Sequence, residues 1–253
     1  MTAPILRVDG LTKSFGGDDV VHDVSFTVAS GELVALIGPN GAGKTTCFNL
    51  VNGQLAPDAG TVTLAGTRIN GLPSRTIARM GVGRTFQVAA TFASMTVREN
   101  VQLALLAKAE AHRSVAARAT DRMRVEADGL LERVRMSRFA SQGCATLAYG
   151  DAKRVELALA LAGAPRLLLM DEPTAGMSPR SRDRLMGLAA DLAREKRIAV
   201  LFTEHDMDVV FGHADRVIVL DRGRIIAEGA PDAIRADARV QAVYLGDDVA
   251  AGE

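Results

Sequence analysis

Short apolar runs separated by turn residues fill the first third of this 253-residue chain. Runs of this length predict β-strands, because alternating and β-branched side chains suit a pleated, half-buried surface. The pattern places strands at residues 5–8, 24–28 and 32–37, and a further strand with a turn within residues 60–70. The amino-terminal part of the chain is therefore expected to be rich in β-structure.

The amino-acid composition of the chain changes between residue 96 and about residue 138. Alanine, arginine, leucine and glutamate dominate there and glycine and proline nearly vanish, which favours helices. We predict two or three helices that form a lobe inserted into the main fold. The arginine-rich run 113–138 contains interleaved acidic residues, so a solvated helix face explains it better than a basic binding patch.

Strands and helices alternate again after residue 165. Residues 167–170 and 198–203 are almost entirely apolar, which is typical of central strands in a parallel sheet covered on both faces. Residues 217–221 and 224–227 flank a short turn and predict a hairpin. This order of elements predicts an α/β fold.

The composition limits the class of protein. Lysine plus arginine equals aspartate plus glutamate at 30 each, so broad attraction to nucleic acid or to an anionic membrane is not expected. The two cysteines are too few for a disulfide scaffold and indicate a reducing cytoplasm. The first residues lack the apolar stretch of a signal peptide, and no run approaches the roughly 18 apolar residues of a membrane span. The length suits one large domain or a domain with an inserted subdomain.

Residues 38–46 fit the phosphate-binding pattern G-x-x-x-x-G-K-[ST] completely, between an apolar run and a predicted helix. The loop consists of Gly38, Pro39, Asn40, Gly41, Ala42, Gly43, Lys44, Thr45 and Thr46. Its glycines let successive backbone N–H groups surround anionic oxygens, and the helix start adds partial positive charge. We expect Lys44 to reach the β- and γ-phosphates of a nucleotide and the Thr45 hydroxyl to ligate Mg²⁺. The alternative is a glycine-rich turn without a ligand.

Two carboxylates end the apolar run 167–170. Asp171, at the carboxyl end of a buried strand beside the phosphate loop, can hold Mg²⁺ through water. Glu172 is then placed to accept a proton from an attacking water molecule. The alternative is a pair of acidic residues that precede a helix and stabilise its dipole.

Three further features follow predicted elements. His205 lies just past the strand 198–203, where it could bond a γ-phosphate and orient water, although a lone histidine can equally be structural. Gln87 ends a short segment before the helical lobe, and its amide could bond both a water that ligates a metal and a mobile neighbour. Residues 147–151 lead into an apolar-patterned helix, whose start could bind an anion or be an ordinary helix terminus.

In their order and spacing these residues resemble the ATP-binding subunit of an ATP-binding-cassette (ABC) transporter, over essentially the whole chain. Residues 38–46 are similar to the Walker A loop of that family, Asp171 and Glu172 to its Walker B pair, and His205 to its switch histidine. The other matches are Phe15 to the aromatic that stacks on adenine, Gln87 to the Q-loop glutamine that contacts Mg²⁺, residues 147–151 to the signature loop and residues 175–179 to the D-loop.

The resemblance implies a P-loop NTPase fold, with a RecA-like core built on a parallel sheet, an amino-terminal antiparallel β subdomain and an inserted α-helical subdomain. Residues 1–253 would then form a single ABC ATPase domain. Residues 1–90 and 160–240 would form the core and the β subdomain. The helical subdomain, with the signature loop, would occupy about residues 91–159.

The resemblance also implies an ATPase that uses ATP and Mg²⁺ to power transport. In that family two cassettes face head to tail, so Ala148, Tyr149, Gly150 and Asp151 would contact the ATP held by a second ATPase subunit, identical or related. The other implied partners are two integral membrane permeases and, indirectly, a periplasmic solute-binding protein, with no nucleic acid. The implied location is peripheral, on the cytoplasmic face of the inner membrane.

Within the family the chain is most similar to ATPases that import branched-chain amino acids. The cues are residues 83–87, 147–150, 103–138, 203–207 and 242–246. The alternatives are the ATPase of a urea or amide importer, that of a lipopolysaccharide exporter and, from another class, a soluble ABC-type remodelling ATPase. Remodelling ATPases usually carry two cassettes or long coiled-coil insertions, which are not seen here. Glu172 and His205 oppose a further reading, a regulatory module that does not hydrolyse ATP.

Three positions depart from the commonest pattern of the family. Ala148 lacks the serine hydroxyl that normally bonds the γ-phosphate, as in the branched-chain group. Asp151 replaces a glutamine and places a carboxylate near an anionic ligand, a repulsion expected to cost on the order of 1 kcal/mol. Ser178 stands where the D-loop usually has aspartate.

Overall fold

The computed structural model describes residues 3–85, 91–109 and 117–250. In these ranges the strands are β1 (Leu6–Phe15), β2 (Asp18–Val28), β3 (Leu33–Ile37), β4 (Ala59–Leu64), β5 (Thr67–Arg68), β6 (Val82–Thr85), β7 (Leu167–Asp171), β8 (Ala199–Thr203), β9 (Arg216–Asp221) and β10 (Arg224–Gly229). The α-helices are α1 (Lys44–Val51), α2 (Ser74–Arg79), α3 (Val97–Ala109), α4 (Ala117–Arg133), α5 (Tyr149–Ala162), α6 (Pro179–Lys196), α7 (Met207–His213), α8 (Pro231–Ala236) and α9 (Ala238–Ala250).

The central sheet has the order β10-β9-β3-β8-β7-β6. Its pairs are parallel except β9 and β10, which form the predicted hairpin. In register, Asp171 at the end of β7 lies opposite Thr203 at the end of β8. The segments that follow β3, β7 and β8 therefore leave the sheet at one edge, the edge at which parallel sheets bind ligands.

The central sheet separates two apolar clusters, one on each face. In β3, Leu33, Ala35 and Ile37 belong to one cluster, whereas Val34 and Leu36 belong to the other. All five residues are buried, which explains why the strand reads as an uninterrupted apolar run. Full burial of an aliphatic side chain contributes about 1.5–3 kcal/mol to the stability of the fold. The burial of β3 therefore fixes the position from which the following loop begins.

The second sheet is antiparallel, with the order β2-β1-β4-β5. The predicted run 5–8 begins one residue before β1 and the predicted run 24–28 falls within β2, but both strands are much longer than predicted. Polar residues interrupt the apolar alternation in their outer halves, yet pairs such as Phe15 and Asp18 continue the ladder. The buried residues of this sheet join the cluster that contains Val34 and Leu36.

Helices α3, α4 and α5 pack on one another beside the central sheet. Val101, Leu131 and Val155, one from each helix, are fully buried in the cluster that covers one face of that sheet. The prediction of two or three helices between residue 96 and about residue 138 is confirmed. Arg124 and Glu126 of α4 are exposed, as a solvated helix face requires.

The arrangement is the α/β P-loop NTPase fold that the resemblance implied, with a mostly parallel sheet, a separate antiparallel sheet and a group of packed helices. Within the described ranges, no helix combines the length and the apolar character needed to cross a membrane.

Candidate active site

The phosphate loop joins β3 to α1, and Lys44 is the first residue of that helix. Lys44 Nζ donates hydrogen bonds to the carbonyl oxygens of Gly38 at 2.6 Å and Pro39 at 2.9 Å. The residue is only 7% exposed. Burial lowers the pKa of Lys44, while the nearby carboxylates of Glu172 and Asp171 act to raise it. The loop thus holds a buried ammonium group against its own carbonyl oxygens, and this group is positioned to bind an anionic ligand.

Close backbone approach requires two of the loop glycines. A Cβ at Gly38, where φ is 153°, would lie 2.1 Å from the carbonyl oxygen of Leu220. A Cβ at Gly43, where φ is 100°, would lie 2.5 Å from the carbonyl oxygen of Val20. Both distances are far inside van der Waals contact, so only glycine fits. The loop is therefore held between β9 and β2.

The remaining nucleotide-facing candidates differ in exposure. Thr45 is exposed at the start of α1 and Thr46 beside it is half-buried. Phe15, at the end of β1, is 46% exposed, and Lys13 Nζ lies 5.4 Å from the centre of its ring. Gln87 lies outside the described residues. The ring of Phe15 is therefore partly accessible to solvent, as stacking on a flat ligand requires.

Asp171 is held by two neighbouring strands. The Thr203 hydroxyl of β8 donates to Asp171 Oδ1 at 2.9 Å. Arg84 of β6 donates through Nη2 to Asp171 Oδ2 at 3.2 Å. Each carboxylate oxygen thus has its own partner, and the side chain is fixed at the ligand-binding edge of the sheet.

Glu172 and His205 are in direct contact. His205 Nε2 lies 2.8 Å from Glu172 Oε1, although 33 positions separate the residues in the chain. Glu172 has φ of 45°, and its N–H donates to Thr203 Oγ1 at 3.1 Å. Left-handed backbone at a residue with a side chain is uncommon and clusters at functional sites. The structure thus brings together the two residues to which the sequence assigned the chemistry.

Glu204 is a buried carboxyl group that sequence reasoning missed. It is 3% exposed, and its Oε1 accepts hydrogen bonds from the Thr174 N–H at 2.8 Å and the Thr174 hydroxyl at 2.7 Å. Burial raises the pKa of Glu204, and the carboxylate of Glu172 acts in the same direction. Glu204 thereby ties the segment after Glu172 to the segment that carries His205.

The segment 175–179 is also linked, through Arg182, to Asp206, the residue that follows His205. Arg182 on α6 forms an ion pair with Asp206 and donates through Nε to the Met177 carbonyl oxygen at 2.8 Å. Ser178 precedes α6, and its hydroxyl lies 3.0 Å from that of Ser181. The residues on either side of His205 are therefore both anchored to the segment that follows Glu172.

Residues 147–151 lead into α5, which begins at Tyr149. Ala148 precedes the helix in an extended conformation, Tyr149 is 45% exposed, and a Cβ on Gly150 would lie 3.3 Å from the Met177 side chain. Asp151 forms an ion pair with Arg154, one turn along the helix. This pair reduces the repulsion that we expected between Asp151 and an anionic ligand, because the arginine offsets the carboxylate charge.

The residues missed by sequence reasoning differ in how they could have been found. Asp151 and Arg154 have the i,i+3 spacing of helix pairs, so the helix prediction could have revealed Arg154. Glu204 comes one residue after the apolar run 198–202 and directly after the buried strand β8, so its position marks a carboxylate at the end of that strand. Arg84 and Thr203 reach Asp171 only through the strand order of the sheet.

Comparison with known proteins shows which protein families this chain is similar to. Residues 21–175 match a family described as ABC transporter, and residues 224–250 match one described as branched-chain amino acid ATP-binding cassette transporter. The chain is 41% identical to the high-affinity branched-chain amino acid transport ATP-binding protein BraF of Pseudomonas aeruginosa, over 98% of this chain and 100% of that protein. It is 40% identical, with the same coverage, to LivG of Escherichia coli K12, which bears the same description. It is 37% identical to the lipopolysaccharide export system ATP-binding protein LptB of Haemophilus influenzae, over 96% and 98%.

Solved structures show the same likeness. MJ1267, an ATP-binding cassette of an ABC transporter, is 30% identical, with a TM-score of 0.85 over 96% of this chain and 99% of that one. MJ0796, a bacterial ABC transporter cassette whose structure is dimeric, is 26% identical, with a TM-score of 0.76 over 89% and 98%.

Proposed function

This chain belongs to the ABC transporter family, and on that basis we propose that it is the ATP-hydrolysing subunit that powers import of branched-chain or related amino acids. The observation that carries this proposal is the 41% identity to BraF, which extends over 98% of the chain. The match of residues 224–250 favours import of branched-chain amino acids over lipopolysaccharide export, since the similarity to LptB is lower. The protein is an ATPase, and its partners supply the path across the membrane.

Nucleotide binding is assigned to the phosphate loop. The backbone of residues 38–46 would surround the phosphates, and Lys44 would move from its carbonyl partners to the β- and γ-phosphate oxygens. A buried lysine with depressed pKa gains from an anionic partner, because the anion restores the interactions lost on leaving water. Phe15 would stack on adenine.

A divalent metal fits the oxygen donors beside the loop. Thr45 offers a hydroxyl group and Asp171 a carboxylate held from both sides, and Mg²⁺ prefers a few such oxygens together with phosphate and water. When bound, Mg²⁺ would neutralise charge on the β- and γ-phosphates. Gln87 is proposed as a further ligand.

Hydrolysis is assigned to the contact between Glu172 and His205. Glu172 would take the proton of the attacking water, and His205, held 2.8 Å from Glu172 Oε1, would orient that water and bond the γ-phosphate. Glu204 and Asp206 support this by fixing the backbone on both sides of His205.

We further propose that the reaction needs a second cassette, identical or related. Ala148, Tyr149, Gly150 and Asp151 of one subunit would cover the ATP held by the other, as the head-to-tail arrangement of the family implies. The dimeric structure of the related cassette MJ0796 supports association between two such chains. ATP then acts as a ligand that stabilises the closed pair, and hydrolysis releases it.

The dimer requirement predicts a concentration-dependent rate. The ATPase rate per subunit should rise with protein concentration and level off once most subunits are paired, because only pairs are active. Steady-state assays from nanomolar to micromolar protein measure the ATPase rate per subunit. Light scattering at the same concentrations measures how many subunits are paired. A constant rate per subunit over a range in which scattering shows monomers would refute the requirement.

The ion pair of Asp151 and Arg154 allows a charge test. Replacing Asp151 with glutamine leaves the Arg154 charge facing the partner's ATP and should lower the ATP concentration for half-maximal dimer formation about fivefold, or roughly 1 kcal/mol. Arg154→Gln should raise it by a similar factor, because the carboxylate is then exposed to the phosphates. Sizing chromatography against ATP concentration provides the measurement.

The control for that test is Asp128→Asn, which removes the carboxylate of a comparable pair with Arg98 elsewhere on the helices. It should leave the ATP dependence of dimer formation unchanged. Shifts of the two test variants in the same direction would show that their charges do not face the ATP.

The permeases are expected to dock in a groove of about 950 Å³ between α2, β6, α3 and α5. Leu159 and Pro165 contribute apolar lining, and Arg75, Arg79 and Lys108 contribute positive charge. This lining suits a helix that places an acidic side chain beside an apolar face. We propose that each of two permeases inserts such a helix, with the cassette on the cytoplasmic face of the inner membrane.

The groove also supports the proposed domain division. It lies where the packed helices α3 and α5 meet β6 of the central sheet, close to the expected boundary at residues 90 and 91. We propose residues 91–159 as the helical subdomain within one ABC ATPase domain, with the core and β subdomain in residues 1–90 and 160–240. No nucleic-acid partner is proposed.

Purification with its membrane partners tests the transport function. The complex isolated from the native membrane should contain two permeases, and a periplasmic binding protein loaded with leucine should stimulate its ATPase activity. Stimulation by lipopolysaccharide or by a urea-loaded binding protein instead would replace the amino-acid proposal. Recovery with ribosomal RNA would support a remodelling ATPase.

A further inference from the structure

Arg84 joins three elements of the nucleotide site through one side chain. Its Nη1 donates to Asn49 Oδ1 on α1 and to Gln54 Oε1, both at 3.0 Å. Its Nη2 donates to Asp171 Oδ2 on β7 at 3.2 Å. The side chains of Arg84 and Asp171 are only 14% and 18% exposed, so solvent screens their interaction weakly.

The guanidinium group is suited to this position because it is planar and presents several N–H groups in fixed directions. One nitrogen faces α1, the helix that begins with Lys44, and another faces the carboxylate proposed to hold the metal through water. Thr203 already occupies Asp171 Oδ1 at 2.9 Å. The carboxylate plane is therefore set by two strands at once, before any metal arrives.

We propose that Arg84 is a positioning residue, which orients Asp171 relative to α1 and thereby sets how strongly Mg²⁺ increases the affinity of the site for ATP. This inference rests on the proposed function, since it assigns Asp171 to the metal. Arg84 acts through Asp171, whose carboxylate it contacts directly. Groups that orient a metal ligand from behind typically change metal affinity 10- to 100-fold when they are replaced.

The charge of Arg84 and its geometry act in opposite directions. A positive charge beside Asp171 disfavours a second cation there, whereas the fixed carboxylate favours it. Lysine keeps the charge but cannot hydrogen-bond to Asn49, Gln54 and Asp171 at the same time. Arg84→Lys therefore measures the contribution of the fixed carboxylate geometry alone. Methionine has a similar length and no charge, so Arg84→Met removes both contributions.

The experiment measures ATP affinity by isothermal titration calorimetry, once in excess Mg²⁺ and once in EDTA. For Arg84→Lys the gain in affinity due to Mg²⁺ should fall about tenfold relative to the wild type, while affinity in EDTA stays the same. Arg84→Met should lower the gain less than Arg84→Lys, because the repulsion of the metal is lost as well. Thermal unfolding verifies that each variant is folded.

The matched control is Arg98→Lys, the same substitution in the half-buried pair of Arg98 and Asp128, whose N–O distance is 2.6 Å. It should behave as the wild type. The proposal would be overturned if Mg²⁺ increased the ATP affinity of both Arg84 variants as much as that of the wild type. It would also be overturned if the variants lost ATP affinity equally with and without Mg²⁺. Arg84 would then be a merely structural residue.

The result separates this inference from the proposed function. Wild-type protein that binds no ATP under either condition would refute the proposed function itself. Wild-type protein that binds ATP equally well in Mg²⁺ and EDTA would overturn only the role of Arg84.

Discussion

Replacing Glu172 with glutamine should lower ATP turnover by about 100- to 10,000-fold while ATP remains bound, because an amide cannot accept the proton of the attacking water. Glutamine has nearly the shape of glutamate and retains an oxygen that can face His205, which lies 2.8 Å from Glu172 Oε1. Binding of the phosphates does not depend on this side chain in our account. The closed pair should therefore accumulate with ATP trapped inside it.

Steady-state ATPase assays and sizing chromatography with ATP measure the two parts of this result. The control is Glu195→Gln, which makes the same change at an exposed glutamate on α6 and should leave the turnover rate unaltered. Turnover near the wild-type rate in Glu172→Gln would remove Glu172 as the base. Loss of ATP binding in that variant would instead give Glu172 a role in affinity.

The second large effect is expected at Lys44. Its side chain is buried and donates to two carbonyl oxygens of its own loop, from which it would move to the expected phosphates. Lys44→Ala removes a charge that would face the phosphates in a site with little water. The loss should reach about 3 kcal/mol or more, which corresponds to at least about 100-fold weaker ATP binding.

Calorimetric titration with ATP in excess Mg²⁺ measures that loss. Lys196→Ala removes an exposed lysine at the end of α6 and serves as the control. An unchanged dissociation constant in folded Lys44→Ala would contradict the assignment of residues 38–46 as the nucleotide site.

The sequence predicted the parts of this molecule whose signal is local. The central strands at residues 167–170 and 198–203, the hairpin and the helical lobe were readable because burial on both faces and helix propensity leave continuous patterns in the chain. The phosphate loop was readable because all its residues are contiguous.

The parts that escaped prediction depend on neighbours in space. The outer half of β1 has no apolar alternation, and it is a strand because it pairs with β2 on one side and, at Thr12, with β4 on the other. Thr203 bonds Asp171 because β7 and β8 are adjacent and in register, and Arg84 does so because β6 lies on the other side of β7. Strand order of this kind is set by the packed sheet and leaves no pattern in the sequence.

The charge at Asp151 shows a third case. The carboxylate was identified from the sequence, but its repulsion was judged without Arg154, which lies one helical turn away. The i,i+3 spacing of Asp151 and Arg154 was visible in the sequence. Only the ion pair in the structure showed that Arg154 offsets the repulsion between Asp151 and an anionic ligand.

The composite site is tested most directly by mixing two inactive variants. Lys44→Ala disables the phosphate loop and keeps residues 147–151, whereas Gly150→Asp keeps the phosphate loop and adds an acidic group to residues 147–151. In a two-fold pair that contains one subunit of each kind, one site has both parts intact, so the mixture should regain about a quarter of the wild-type ATPase rate. A mixture as inactive as each folded variant alone would contradict our central claim that ATP is cleaved between two subunits.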